Sequence, residues 1–127
     1  MRAGTRVLIV DDEPQVRAVV RAILETAQFD IADAPDGRGA LDQVKACRPD
    51  LVITDLVMPD QEGMSLIHQL RVAYPDLAII AMSGARGGRY LPTARALGAN
   101  ATIEKPFDPD TLLASIRDVL PPRDKAA

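Results

Sequence analysis

The sequence predicts an α/β domain in which a parallel sheet carries helices on both faces. Two observations predict it. Short apolar runs rich in β-branched residues recur along the chain, and each is followed by turn residues and then by a segment with helical periodicity. The runs are continuously apolar rather than alternating, which suits strands buried on both faces. Repeated strand–helix units imply right-handed crossovers, and these lay the helices on both sides of one sheet.

The elements follow in chain order. The first strand run is Val7, Leu8, Ile9 and Val10. After Pro14, which suits a first helical position, Val16, Val19, Val20, Ile23, Leu24 and Ala27 fall on one helical face. A second, weaker strand surrounds Ile31, and Asp36 is placed to cap a helix carrying Ala40, Leu41 and Val44. The third strand is Leu51 to Thr54, with a helix through Met64, Ile67 and Leu70 behind it. The fourth is Ala78 to Met82, followed by a helix with Leu91, Ala94 and Leu97 that Gly98 ends. A short fifth strand holds Ala101 to Ile103. The last helix has Asp108 as N-cap and Pro109 at its first position, runs through Leu112, Leu113, Ile116, Val119 and Leu120, and stops at Pro121-Pro122.

A chain of 127 residues makes one domain, expected over residues 1–122, with a polar tail at 123–127. The net charge is −3, with no basic cluster and only 3% aromatic residues, which argues against direct nucleic-acid binding. No apolar run approaches the ~20 residues of a membrane span, and no signal-peptide core is present. A cytoplasmic protein without a membrane partner is the expectation. The single cysteine, Cys47, cannot form an internal disulfide and lacks the paired spacing of a zinc site.

In a sheet of this kind, ligands bind beyond the carboxyl ends of the strands. Asp11, Asp12 and Glu13 follow the first strand, Asp55 the third, Ser83-Gly84 the fourth and Lys105-Pro106 the fifth. The second strand offers only Asp33 and Asp36, which read as turn and cap residues. If the first and third strands are neighbours, Asp11, Asp12 and Asp55 converge, and carboxylates that close must bind protons or a cation. A small set of hard oxygen ligands favours Mg²⁺ or Mn²⁺ over zinc. Lys105 adds a positive charge and Ser83 a hydroxyl, which suits phosphoryl transfer onto a carboxylate. Each feature alone is ordinary: an Asp-Asp pair caps helices, a serine fills turns, and a lysine decorates surfaces. The signal is their conjunction at the carboxyl ends.

On these residues the chain resembles the receiver domain of bacterial two-component response regulators, of the single-domain chemotaxis-regulator kind, over practically its whole length. The matching stretches are Val7 to Glu13, Asp50 to Asp55 with Met58-Pro59 and Gly63 following, Met82-Ser83-Gly84, and Lys105-Pro106-Phe107. The resemblance implies a flavodoxin-like three-layer sandwich, with a five-stranded parallel sheet of order 2-1-3-4-5 and five helices. It implies Asp55 as phosphoacceptor, with Asp12 binding Mg²⁺ directly, Asp11 largely through water, and Asp55 and the Val57 carbonyl as further ligands. Ser83 would bind a phosphoryl oxygen, Lys105 would pair with the phosphoryl group, and the Lys105-Pro106 bond would be cis. The implied donor is a histidine kinase or histidine phosphotransfer protein. The implied output is binding to a further protein, since no output region follows Leu120 in this sequence; an excised piece of a longer regulator is the alternative. No enzyme activity is implied beyond Mg²⁺-dependent self-phosphorylation and self-dephosphorylation. A phosphatase with an aspartyl-phosphate intermediate would need a second carboxylate two residues after the nucleophile, where Val57 stands. A degenerate, unphosphorylated binding module is disfavoured because every acid, hydroxyl and lysine position is filled.

The chain departs from the family at three places. Thr102 stands where receivers carry a Tyr or Phe that swings inward on activation, and its β-branched side chain cannot fill an aromatic-sized space. The loop from Gly84 to Leu91, with Tyr90, is then expected to transmit the switch. Val57 and Ala85 occupy the positions whose side chains help order the attacking water, so slow self-hydrolysis is expected. Outside the site, His68 reads as a helix-surface residue, Cys47 as a small apolar filler, and Arg86-Gly87-Gly88-Arg89 as an adjustable loop without the spacing of a nucleotide P-loop.

Overall fold

The structure is a computed structural model and describes residues 4–56, 62–84 and 90–120. Five strands alternate with five helices: β1 (Arg6–Val10), α1 (Pro14–Glu25), β2 (Asp30–Ala34), α2 (Gly37–Cys47), β3 (Leu51–Asp55), α3 (Glu62–Ala73), β4 (Ala78–Ser83), α4 (Leu91–Leu97), β5 (Ala101–Glu104) and α5 (Pro109–Val119). All four strand pairings are parallel and the order is β2-β1-β3-β4-β5, as the resemblance implies. Asp55 and Ser83 are the last residues of their strands rather than the first residues beyond them.

The period-2 alternation of each strand divides the core in two. Val7, Ile9, Leu51, Ile53, Ile80 and Met82 face α1 and α5, against Val20, Ile23, Leu24, Leu112 and Ile116. Leu8, Val10, Val52, Ile79 and Ala81 face α2, α3 and α4, against Val44, Leu66, Ile67, Leu70 and Ala94. Every residue of β3 and β4 is buried, which accounts for their unbroken apolar character. The edge strand β2 buries fully only Ala34, and its weak sequence signal has that origin.

Local chemistry sets the helix ends. Asp36 accepts a hydrogen bond from the Gly39 amide at 2.7 Å and Asp108 one from the Thr111 amide at 2.7 Å, each a side-chain cap of the kind worth ~1 kcal/mol. Pro14 and Pro109 open α1 and α5, where a missing N–H costs nothing. Leu120, before Pro121, is extended and ends α5.

Three readings of the sequence need correction. Val19, assigned to the core face of α1, is 58% exposed: it lies at the margin of an apolar stripe centred on Val16, Val20, Ile23 and Ala27. Asp33 is not a turn residue but part of β2, where Arg21 holds it in an ion pair at 3.3 Å. His68 is exposed, and half-buried Cys47 donates its thiol to Gln43 Oε1 at 3.2 Å, a polar contact a plain apolar filler would lack. Among the described residues no helix is long and apolar enough to cross a membrane.

Candidate functional site

The carboxyl ends of β1, β3, β4 and β5 meet at one end of the sheet, because adjacent parallel strands bring their ends level. Val10 pairs with Thr54, Asp55 with Met82, and Ser83 with Glu104, so the acids after β1 and at the end of β3 become neighbours. One carboxylate oxygen each from Asp11, Asp12 and Asp55 lies within 4.8 Å of the others, a spacing that a single metal ion can span. Asp11 and Asp55 are buried, whereas Asp12 is exposed.

Each acid is held differently. Asp11 accepts from the Glu13 amide on Oδ1 at 2.9 Å and from Lys105 Nζ on Oδ2 at 3.0 Å. Its own amide donates to the Ala34 carbonyl at 3.2 Å, beyond the last residue pairing of β1 with β2. Asp55 meets Lys105 Nζ at 3.2 Å through Oδ1. The Asp12 carboxylate has no hydrogen bond or ion pair among the described residues, which leaves its oxygens available to an ion. Lys105 is placed by its own amide, which donates to the Ser83 carbonyl at 2.7 Å, and the Lys105-Pro106 bond is cis, as expected.

Burial pushes the Asp55 carboxyl up from 3.8 to about 6; Lys105 opposes the rise, and the charges of Asp11 and Asp12 add to it. Burial by itself would lower the Lys105 pKa, but the hydrogen bond to Asp11 and the charges of Asp55 and Asp11 outweigh it and raise the ammonium above 10.5. An acid pressed toward its neutral form beside two other acids is one that a divalent cation would ionise fully.

Gly63 explains its own place in the sequence. A β-carbon there would sit 2.3 Å from the Asp55 carbonyl oxygen and 2.6 Å from that of Leu56, so only glycine lets the first turn of α3 press against the chain at Asp55.

Ser83 is fully buried, and its hydroxyl donates to the Gly84 carbonyl at 3.2 Å rather than to Asp55. Half-buried Thr102 pairs with Ala81 across β4 and β5. Val57, Ala85 and the Arg86 to Arg89 stretch lie outside the described residues, so the expected carbonyl ligand and most of the expected switch loop do too.

The sequence reading missed Arg17 and Asp33. Arg17 Nη1 donates to the Asp11 carbonyl at 2.6 Å, and its Nε lies 3.9 Å from Asp33 Oδ2. Arg17 follows Glu13 by one helical turn, and that spacing is a signal that places it beside the acid pair. Beside the site, Gln15, Val16, Val19, Val20, Lys105, Pro106 and Phe107 line an apolar groove of about 280 Å³.

Comparisons with known proteins agree with this geometry. The family model described as the response regulator receiver domain matches residues 7–117. Protein CcdB of Bacillus subtilis is 38% identical over 117 residues, covering 91% of this chain and 98% of that protein. Chemotaxis protein CheY of Thermotoga maritima is 32% identical, with coverage of 91% and 98%. Other curated relatives are longer, and the chain spans about half the length of several of them. The crystal structure of chemotaxis protein CheY4 of Vibrio cholerae superposes with a TM-score of 0.85 at 32% identity, covering 93% of this chain and all of that one. With the sheet order, the acid cluster and the lysine in place, the chain belongs to the receiver domains of two-component response regulators.

Proposed function

We propose that the protein is a phosphorylation switch whose acceptor is Asp55. The observation that carries the reading is the meeting of Asp55 with two further carboxylates within 4.8 Å and with the Lys105 ammonium at 3.2 Å. The oxygen-only donor set fits Mg²⁺, held by Asp12, Asp55 and, largely through water, Asp11, with the Val57 carbonyl as the ligand the family resemblance adds. When bound, Mg²⁺ would ionise the acids and screen the charge on an incoming phosphoryl group.

An Asp55 carboxylate oxygen forms a bond to phosphorus while the bond from phosphorus to the donor breaks. From a phosphohistidine the leaving group is the imidazole nitrogen, which takes a proton; from acetyl phosphate it is acetate. The product is an acyl phosphate. Lys105, released from Asp55 as the carboxylate charge moves to the phosphoryl oxygens, pairs with them instead and stays anchored by Asp11. Ser83, one strand away, exchanges its bond to the Gly84 carbonyl for one to a phosphoryl oxygen. The reaction is a single self-modification with slow hydrolytic reversal, not turnover of a substrate.

The donor reads as a histidine kinase or histidine phosphotransfer protein, and the output as a protein contact. Lys105 lines both the acceptor site and the apolar groove around Val19, so a donor helix seated in the groove would bring its phosphohistidine to Asp55. Incubation with acetyl phosphate and Mg²⁺ should add one phosphoryl group by intact mass, and EDTA or Asp55→Asn should prevent it. Label retained in Asp55→Asn defeats the assignment. Val19→Glu should slow transfer from a phosphorylated histidine kinase while leaving acetyl phosphate labelling intact; equal transfer rates would put the donor elsewhere.

A further inference from the structure

We infer that Arg17 is a positioning residue for the Asp11–Asp12 metal-binding pair and that Asp33 holds it in place. The inference rests on the Mg²⁺ reading above. Asp12, the one exposed acid of the cluster, has no hydrogen bond or ion pair of its own among the described residues, so the only part of it that the protein can hold is the backbone that carries it. The peptide group that leads into Asp12 is the one whose carbonyl belongs to Asp11. Arg17 Nη1 binds that oxygen at 2.6 Å, and a guanidinium donor makes this a charge-assisted bond. The Asp11 amide donates to the Ala34 carbonyl at 3.2 Å, so both polar groups of the Asp11 main chain are engaged.

Both anchors trace to the end of β2. The Ala34 carbonyl accepts from the Asp11 amide directly, and Asp33 faces the guanidinium that donates to the Asp11 carbonyl. Asp33 Oδ2 lies 3.9 Å from Arg17 Nε and 3.3 Å from Arg21 Nη2. Arg17 and Arg21 stand one turn apart on α1, so a single carboxylate reaches both. Arg17 is the more enclosed of the two, with 19% of its side chain exposed against 36% for Arg21.

Charge and position predict opposite signs here. Arg17 is a cation close to a cation site, so on electrostatics alone its removal would strengthen Mg²⁺ binding. If its task is to fix the Asp11–Asp12 peptide, removal weakens binding, because Asp12 must then be ordered by the metal itself. Asp33, shared with Arg21, offsets only part of the guanidinium charge, so the inference is that position outweighs the charge that remains. Loss of a residue that orients a metal ligand typically costs on the order of tenfold in affinity.

The test is calorimetric titration of the full chain with MgCl₂, alongside urea unfolding in EDTA. Arg17→Ala should weaken Mg²⁺ binding by on the order of tenfold, Arg17→Lys and Asp33→Asn by less, and Arg21→Ala least. The urea midpoint in EDTA should not follow that order, which separates positioning from a structural role. Arg17→Lys keeps the charge and most of the stem, and serves if Arg17→Ala does not fold. Binding in Arg17→Ala as tight as wild type, or tighter, overturns the inference and leaves the Mg²⁺ reading standing. A wild-type protein that takes up no Mg²⁺ overturns both.

Discussion

Replacing Asp55 with asparagine should stabilise the metal-free protein at neutral pH, although it deletes one side of an ion pair. Burial raises this carboxyl from 3.8 to about 6 despite Lys105 at 3.2 Å. Between those two values the folded state binds a proton that the unfolded state has released. Stability from this group is therefore complete below pH 3.8 and is lost as the pH rises through about 6. At ~1.4 kcal/mol per pH unit, the displacement corresponds to roughly 3 kcal/mol lost by pH 7.5. Asparagine has the shape of the protonated acid and does not ionise, so Asp55→Asn should recover about 1–3 kcal/mol there and nothing near pH 4. Lys105, raised above 10.5, titrates outside this window. The assay is urea unfolding in EDTA followed by far-ultraviolet circular dichroism, since the chain has no tryptophan. Mg²⁺ should narrow the gap at pH 7.5 by stabilising the ionised wild type. A variant less stable than wild type at pH 7.5, or a difference that does not change with pH, would refute the reasoning.

The two remaining acids should separate in a Mg²⁺ titration followed by NMR: Asp12→Ala should cost more affinity than Asp11→Ala, because Asp12 is exposed and uncommitted while Asp11 is already bound by Glu13 and Lys105. Unchanged affinity in both variants contradicts the assignment. Gly63→Ala places a methyl 2.3 Å from the Asp55 carbonyl oxygen and should destabilise the fold by ~1–3 kcal/mol in thermal unfolding; a neutral substitution would mean that α3 can move away. Val57→Asn puts a water-ordering amide two residues after the acceptor and should speed loss of the phosphoryl group, read by the decay of labelled protein; a rate at or below wild type counts against slow hydrolysis through Val57.

The strands were legible because burial on both faces leaves unbroken apolar runs, and the candidate site residues stood out because they sit at the ends of those runs; the strand order came from the family resemblance. Leu51 to Thr54 shows this most plainly: four buried residues lead straight into Asp55. Edges were less legible. Strand β2 is half-exposed, so its pattern was weak and Asp33 passed for a turn residue. Val19 passed for core because helical periodicity does not say where an apolar stripe ends. The spacing from Glu13 sets Arg17 near the acids, but its contact is with a backbone carbonyl that sequence does not display. The rest state of Ser83, turned to the Gly84 carbonyl, is likewise a matter of rotamer rather than residue type.

The central claim is that Asp55 carries the phosphoryl group, and locating the modified residue tests it most directly. An acyl phosphate is reduced by borohydride to the alcohol, which converts a phosphorylated aspartate into homoserine. After treatment with acetyl phosphate and Mg²⁺, reduction and proteolysis, peptide mass spectrometry should find homoserine at position 55 and aspartate at positions 11 and 12. Homoserine at either of those positions, or at none while intact mass shows one phosphoryl group added, would contradict the account.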